Sequence, residues 1–253
     1  MTTFFLNRLA TEPHALAFAG QSTPWPVALA DQTTDPSLDE ALRGHVAAAN
    51  RLLAPVAADL LATTGRPVDL FGFTPNPARL GAAADATASV EGVALTQLGA
   101  LLDLEHLGYS VAAAKPVAVL GHSQGVLAVH MARAIEAAGS IEAAGKTLDE
   151  ILAVAALIGA AGTRRVRELG LNPKYGEASP MLSVKGATRE QVEALVKRVN
   201  NARGPISIAV TNSDNHHVLS GYPEDLAALA LEAEREHKHQ AKLREEKVRG
   251  GRV

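Results

Sequence analysis

The sequence contains no cysteine in its 253 residues. That excludes disulfides, thiolate metal sites and a cysteine nucleophile. Aromatic residues make up only 4% of the chain, with a single tryptophan, so a core must be built from aliphatic side chains. No apolar run approaches the roughly 20 residues that a membrane helix needs. The opening stretch MTTFFLNRLATEPHA has no signal-peptide core, because Asn7 and Arg8 interrupt its short apolar patch. The formal net charge of −3 lacks the basic balance of a nucleic-acid-binding domain. These absences lead us to expect a soluble, cytoplasmic protein with neither a nucleic-acid nor a membrane partner.

What is present is an abundance of Ala, Val and Leu. Hydrophobic residues form 47% of the chain, enough for a sizeable core, and the aliphatic bias suits an α/β protein with buried parallel strands. From His14 to about Gly176, strand-like segments alternate with helical ones. ALAFAG (15–20) reads as a short strand running into the turn GQSTPWP. The stretches 38–61 and 90–108 carry apolar residues at helical spacing, the second stopping at Gly108. PVAVLG (116–121) is the central strand and 124–139 the helix behind it. The stretch 147–170 predicts a further helix, opened by Thr147 with Glu150 completing a capping box.

A different unit follows the loop LNPKYGEASP (171–180). MLSVKG (181–186) reads as a strand. TREQVEALVKRVN (188–200) is a helix with a Thr cap and a matching Gln191. ISIAVTNS (206–213) and HHVLSG (216–221) are strands joined by Ser213, Asp214 and Asn215. Pro223 opens a last helix, whose charged stretch 232–249 reads as a solvated end. The order β-α-β-β-α is a split βαβ sandwich without its last strand, which is expected to begin at VRGGRV. There is no internal repeat. The expected organisation is an incomplete α/β-hydrolase-like parallel-sheet core over 1–177 and an incomplete ferredoxin-like subdomain over 178–253.

The segment GHSQG (121–125) sits between the central strand and its helix. A nucleophile on a sharp strand-to-helix turn needs small neighbours, which Gly121 and Gly125 supply. The helix behind Ser123 aims its free N–H groups and positive dipole end at a reacting carbonyl. The Gln124 backbone N–H is one natural oxyanion donor. A chance occurrence of G-x-S-x-G is the plain alternative, and the apolar strand before it and the helix after it argue for a nucleophile.

The base is harder to find. An esterase would supply an acid and then a histidine after the serine. His130 lies about two turns along the serine's own helix, and His216 and His217 open a strand of the small unit. His237 and His239 sit in the charged helix. Structural or surface roles suit each of them better than catalysis. His122, beside the serine, either lines the pocket or is structural.

GHSQG, the N-terminal FAGQSTPW, the helix LTQLGALLDLEHLG and a split βαββαβ insertion carrying VLSG together resemble the acyl-CoA:acyl-carrier-protein acyltransferases. The likeness is closer to the N-terminal acetyltransferase region of actinobacterial type I fatty acid synthase, where GHSQGVLAV, LIGAAGT and a late KVRGG recur in this order. It covers nearly the whole chain. The resemblance implies that Ser123 carries the acyl group as an ester and that the backbone N–H of Gln21 is the second oxyanion donor beside that of Gln124. It places the catalytic histidine after the small subdomain, beyond Val253, so this chain is expected to be part of a larger synthase.

Malonyl-selective members of the family carry an arginine on the helix after the nucleophile, whose planar fork holds a carboxylate. Here that segment reads ALIGAAGTRR, with Ala160 and Ala161 where the arginine is expected and Arg164 and Arg165 read as exposed charge. A malonyl carboxylate would then be desolvated and unpaired, so acetyl or another uncharged acyl group is expected. The implied reaction moves that group from acetyl-CoA to the phosphopantetheine thiol of an acyl carrier protein through Ser123. It needs coenzyme A thioester as substrate and no permanently bound cofactor or metal. Other domains of a fatty acid synthase are expected partners, in a homo-oligomer. Malonyl or palmitoyl transfer on the same fold, a serine thioesterase, and a non-catalytic structural role within a synthase are the alternatives.

Overall fold

The computed structural model describes residues 8, 9, 11–20, 25–64, 86–168, 180–199 and 204–250. Among them no helix is long and apolar enough to cross a membrane. The chain separates into two compact units, Met1–Tyr175 and Gly176–Val253.

The first unit is built on two short parallel strands, β1 (Ala15–Phe18) and β2 (Ala118–Gly121), paired Ala15 to Ala118 through Phe18 to Gly121. Backbone bonds extend the ladder at both ends, from Val117 N to His14 O at 2.9 Å and from His122 N to Phe18 O at 3.0 Å. Leu16, Phe18 and Val119 pack on the core, while Val117 and Leu120 remain 72% and 58% exposed. A doubly covered parallel sheet would bury both faces. Among the described residues only one face of this sheet is buried.

Helices supply the rest. They are α1 (Trp25–Gln32), α2 (Pro36–Leu53), α3 (Ala57–Thr64), α4 (Ala86–His106), α5 (Val111–Ala114), α6 (Gly125–Ala138) and α7 (Ile141–Glu168). α4 is the centre of the unit: Val93, Ala94, Leu98 and Leu101 are fully buried. Facing residues of α2, α6 and α7, including Leu42, Met131, Leu148 and Leu152, complete an aliphatic core.

Two boundaries differ from the sequence-based expectation. The single helix expected over 38–61 begins at Pro36, capped by Asp35, whose carboxylate accepts from Ser37 N and Leu38 N. It then breaks into a 3₁₀ turn at Ala54–Val56, because Pro55 has no N–H and its ring clashes with the preceding turn. The helix expected to start at Thr147 starts at Ile141 instead. Gly139 ends α6 in the left-handed conformation at φ 85°, and Ser140 Oγ at once accepts from Ala143 N at 3.1 Å. This stop and start precede Thr147, which lies inside the helix.

The second unit is the split βαβ arrangement. β3 (Met181–Lys185), α8 (Arg189–Arg198), β4 (Ser207–Ser213), β5 (His216–Ser220) and α9 (Pro223–Gly250) follow in order. β5 lies between β3 and β4 and is antiparallel to both, so β3 and β4 run parallel around α8. The capping box read at Thr188 and Gln191 is formed. One face of the sheet packs against α8 and α9 through Leu219, Val192, Leu195, Leu226 and Leu229. The strand expected to begin at VRGGRV is not seen in the described part of that stretch: α9 continues to Gly250, as its Glu, Lys, Arg and Ala content favours. Residues 251–253 lie outside the described residues.

Candidate active site at the Ser123 turn

The turn between β2 and α6 is as tight as its sequence requires. Ser123 has φ 53°, in the left-handed region that a residue with a side chain enters only at a cost. The chain then coils into α6 through i to i−3 bonds. Gly125 N donates to His122 O at 2.8 Å, Val126 N to Ser123 O at 3.1 Å and Leu127 N to Gln124 O at 3.0 Å. The two flanking glycines are there for room. A Cβ on Gly121 would stand 2.4 Å from Gly125 O, and one on Gly125 would stand 2.3 Å from Phe18 O.

The end of β1 comes up against the same turn. A Cβ on Gly20 would lie 2.7 Å from His122 O and 2.9 Å from the Cβ of Ser123. Gln97, nearly buried in α4, donates from Nε2 to the carbonyl of Ala19. The strand end, held by the central helix at Ala19, therefore meets the turn at Ser123, an exposed residue. The Gln124 N–H has no acceptor among the described residues and stands at the start of α6, where the helix dipole is positive. An exposed serine beside an N–H that has no acceptor among the described residues, at a helix start, is an arrangement that can carry an acyl oxyanion.

The other residues singled out in the sequence fall as follows. Gln21 lies outside the described residues. His122 is exposed at the turn. Ala160, expected to line the acyl pocket, is 2% exposed among the packed aliphatics. Its place is set by the buried stripe of Leu152, Ala155, Ala156 and Gly159 on α7. Ala161 is exposed. Arg164 and Arg165 are exposed and pair with Glu168 at 3.6 and 3.2 Å.

Among the described residues no histidine hydrogen-bonds the Ser123 hydroxyl. His130 is exposed on α6. His216 Nε2 lies 3.0 Å from Ser183 Oγ, and His217, almost fully buried, has Nδ1 3.2 Å from Thr211 Oγ1, all within the second unit. His237 and His239 are exposed on α9. A surface cavity of about 280 Å³, lined by Asp35, Leu38, Asp103 and His106 among others, does not include the Ser123 turn. Sequence alone does not mark Gln97 as a site residue. The signal available was a lone amide within the apolar helical run 93–101.

A parallel-strand unit joined in sequence to a split βαβ unit is an α/β fold shared with FabD-type acyltransferases. The family model of the starter unit:ACP transacylase in aflatoxin biosynthesis matches residues 82–247, and the chain belongs to that family. Fatty acid synthase beta subunit hexB of Dothistroma septosporum is 31% identical over 127 residues, which is 45% of this chain and 6% of that protein. FabD from Acinetobacter baumannii is similar in structure, with TM-score 0.52 and 18% identity over 88% of this chain and 58% of that one. A type II polyketide malonyl-transacylase, PlMCAT, solved in complex with its acyl-carrier protein AntF, aligns with TM-score 0.50 and 17% identity over 88% and 60% of the respective chains. The chain thus spans little more than half the length of these solved structures and a small part of the synthase subunit.

Proposed function

We propose that this chain carries the acyl-loading site of a fatty acid synthase and transfers an acyl group, with acetyl preferred, from coenzyme A to the phosphopantetheine thiol of an acyl carrier protein. The observation that carries the reading is the Ser123 turn: a left-handed, exposed serine beside the unengaged Gln124 N–H, within a chain of the starter unit:ACP transacylase family.

In the reaction, Ser123 Oγ attacks the thioester carbonyl and its proton passes to a base. The oxyanion is held by the Gln124 N–H and by that of Gln21, the second donor the family resemblance implies. Collapse breaks the C–S bond, and coenzyme A leaves as its thiol after taking a proton. The carrier thiol then attacks the serine ester, the C–O bond breaks and Ser123 recovers its proton. The base belongs, by the same resemblance, to a segment following the small subdomain. The acetyl preference rests on α7, where Ala161 is exposed and Arg164 and Arg165 are paired with Glu168, leaving no arginine at the position expected to hold a malonyl carboxylate.

The test is product analysis with labelled acetyl-CoA and a holo-acyl carrier protein. Label on the carrier thiol is the expected result. Release of free acetate with none on the carrier would replace transfer by hydrolysis.

A further inference from the structure

We propose that Gln97 is a positioning residue for acyl transfer: it holds the end of β1 against the Ser123 turn from within the central helix. The inference rests on the reading of Ser123 as nucleophile given above.

Three observations carry it. First, α4 is buried on all sides from Ser89 to Gly99, and a primary amide in such a helix is costly unless its groups are used. Gln97 is 6% exposed, and its Nε2 donates to the Ala19 carbonyl. Its Oε1 is buried without a partner among the described residues. Second, Ala19 is the residue before Gly20, whose Cα lies so near the turn that a Cβ would meet His122 O and Ser123 Cβ below 3.0 Å. The carbonyl that Gln97 grips is therefore one residue from the nucleophile's contact. Third, the neighbouring side chain on α4 reaches the chain where it resumes. Thr96 Oγ1 bonds Gly92 O at 2.8 Å and reaches Trp25 O at 3.4 Å, and the Trp25 ring lies on Gly92, where a Cβ would stand 2.3 Å from Cε3. Adjacent residues of one rigid helix thus hold the backbone on both sides of residues 21–24.

This is more than a core requires. A leucine at 97 would continue the aliphatic pattern of Val93, Leu98 and Leu101 without an unsatisfied amide oxygen. What the amide adds is a fixed distance between α4 and the strand end beside Ser123. Catalysis depends on such distances, since small misplacements of a reacting group or of an oxyanion donor are expensive in rate.

The experiment compares the protein with Gln97→Met and Gln97→Glu, measuring the rate of Ser123 acylation by labelled acetyl-CoA per folded molecule, with KM alongside. Gln97→Met keeps the length and loses the donor. It should slow acylation at saturating substrate by on the order of tenfold or more while KM stays within a few-fold. Gln97→Glu should recover rate as pH falls, because only a protonated carboxyl can donate to the Ala19 carbonyl. Gln97→Met should show no such recovery. A merely structural role would lower the folded fraction and leave the rate per folded molecule and the pH profile unchanged, and that result would overturn the proposal. Should Gln97→Met not fold, the pH profile of Gln97→Glu decides alone. Absence of label on Ser123 in the unaltered protein would overturn the nucleophile reading and this proposal together. Normal labelling with indifferent Gln97 variants would overturn this one only.

Discussion

Gly125 sits directly over Phe18: a side-chain carbon on Gly125 would stand 2.3 Å from the Phe18 carbonyl oxygen. The first turn of α6 therefore rests on the backbone of β1, and the position of Ser123 follows from that contact.

Gly125→Ala should displace the turn. Overpacking against backbone, which cannot move aside as a flexible side chain can, costs about 1–3 kcal/mol. Chemical denaturation should show that loss, and acylation of Ser123 should fall with it. A variant of unaltered stability would mean that the turn has more room than the structure gives it.

The left-handed backbone at Ser123 makes a separate prediction. Ser123→Ala keeps the conformational cost at φ 53°, whereas Ser123→Gly relieves it at the expense of a freer unfolded chain. The glycine variant should be the more stable of the two, by up to about 1 kcal/mol, as read from their melting midpoints. Equal or reversed stabilities would remove the claim that the Ser123 turn stores strain.

Tyr109 offers a test against pH. It is 1% exposed, its hydroxyl bonds His14 Nε2 at 2.5 Å, and burial holds its pKa above the ordinary tyrosine value. A folded-state pKa raised above the unfolded value contributes stability that is fully present below about pH 10 and is lost as pH rises through the folded value. The ultraviolet difference titration between the protein and Tyr109→Phe should place this ionisation above the ordinary range, accompanied by falling stability. Titration at or below the ordinary value would contradict the burial.

Substrate choice tests α7. A carboxylate buried without a cation costs several kcal/mol, and each 1.36 kcal/mol is a factor of ten in rate. Acetyl-CoA should therefore exceed malonyl-CoA by at least about a hundredfold in kcat/KM. Ala161→Arg should narrow the gap, because Ala161 is exposed. Ala160→Arg should chiefly unfold the protein, because Ala160 is 2% exposed in the core. Equal loading of both thioesters by the unaltered protein would point to Arg164 or Arg165 as the carboxylate clamp.

Much of this was legible in the sequence where a local signal had no competitor. Thr188 with Gln191 fixed the start of α8, Gly121 and Gly125 marked the strand-to-helix turn, and the turn residues Ser213, Asp214 and Asn215 separated β4 from β5. Thr147 misled because an equally good signal, Gly139 followed by Ser140, lay about two turns earlier and left Thr147 inside a longer helix. The facing of Ala160 and Ala161 was not legible because motif position does not give helical phase. Only the packing of Leu152, Ala156 and Gly159 shows which alanine faces inward. Gln97 was illegible because its role depends on a contact across 78 residues of sequence.

The most direct test is the covalent one. Labelled acetyl-CoA should leave an acyl ester on Ser123, located by mass spectrometry of peptides from acid-quenched protein, and Ser123→Ala should abolish it. Label retained by the Ser123→Ala protein, or found on another residue of the unaltered one, would contradict the account.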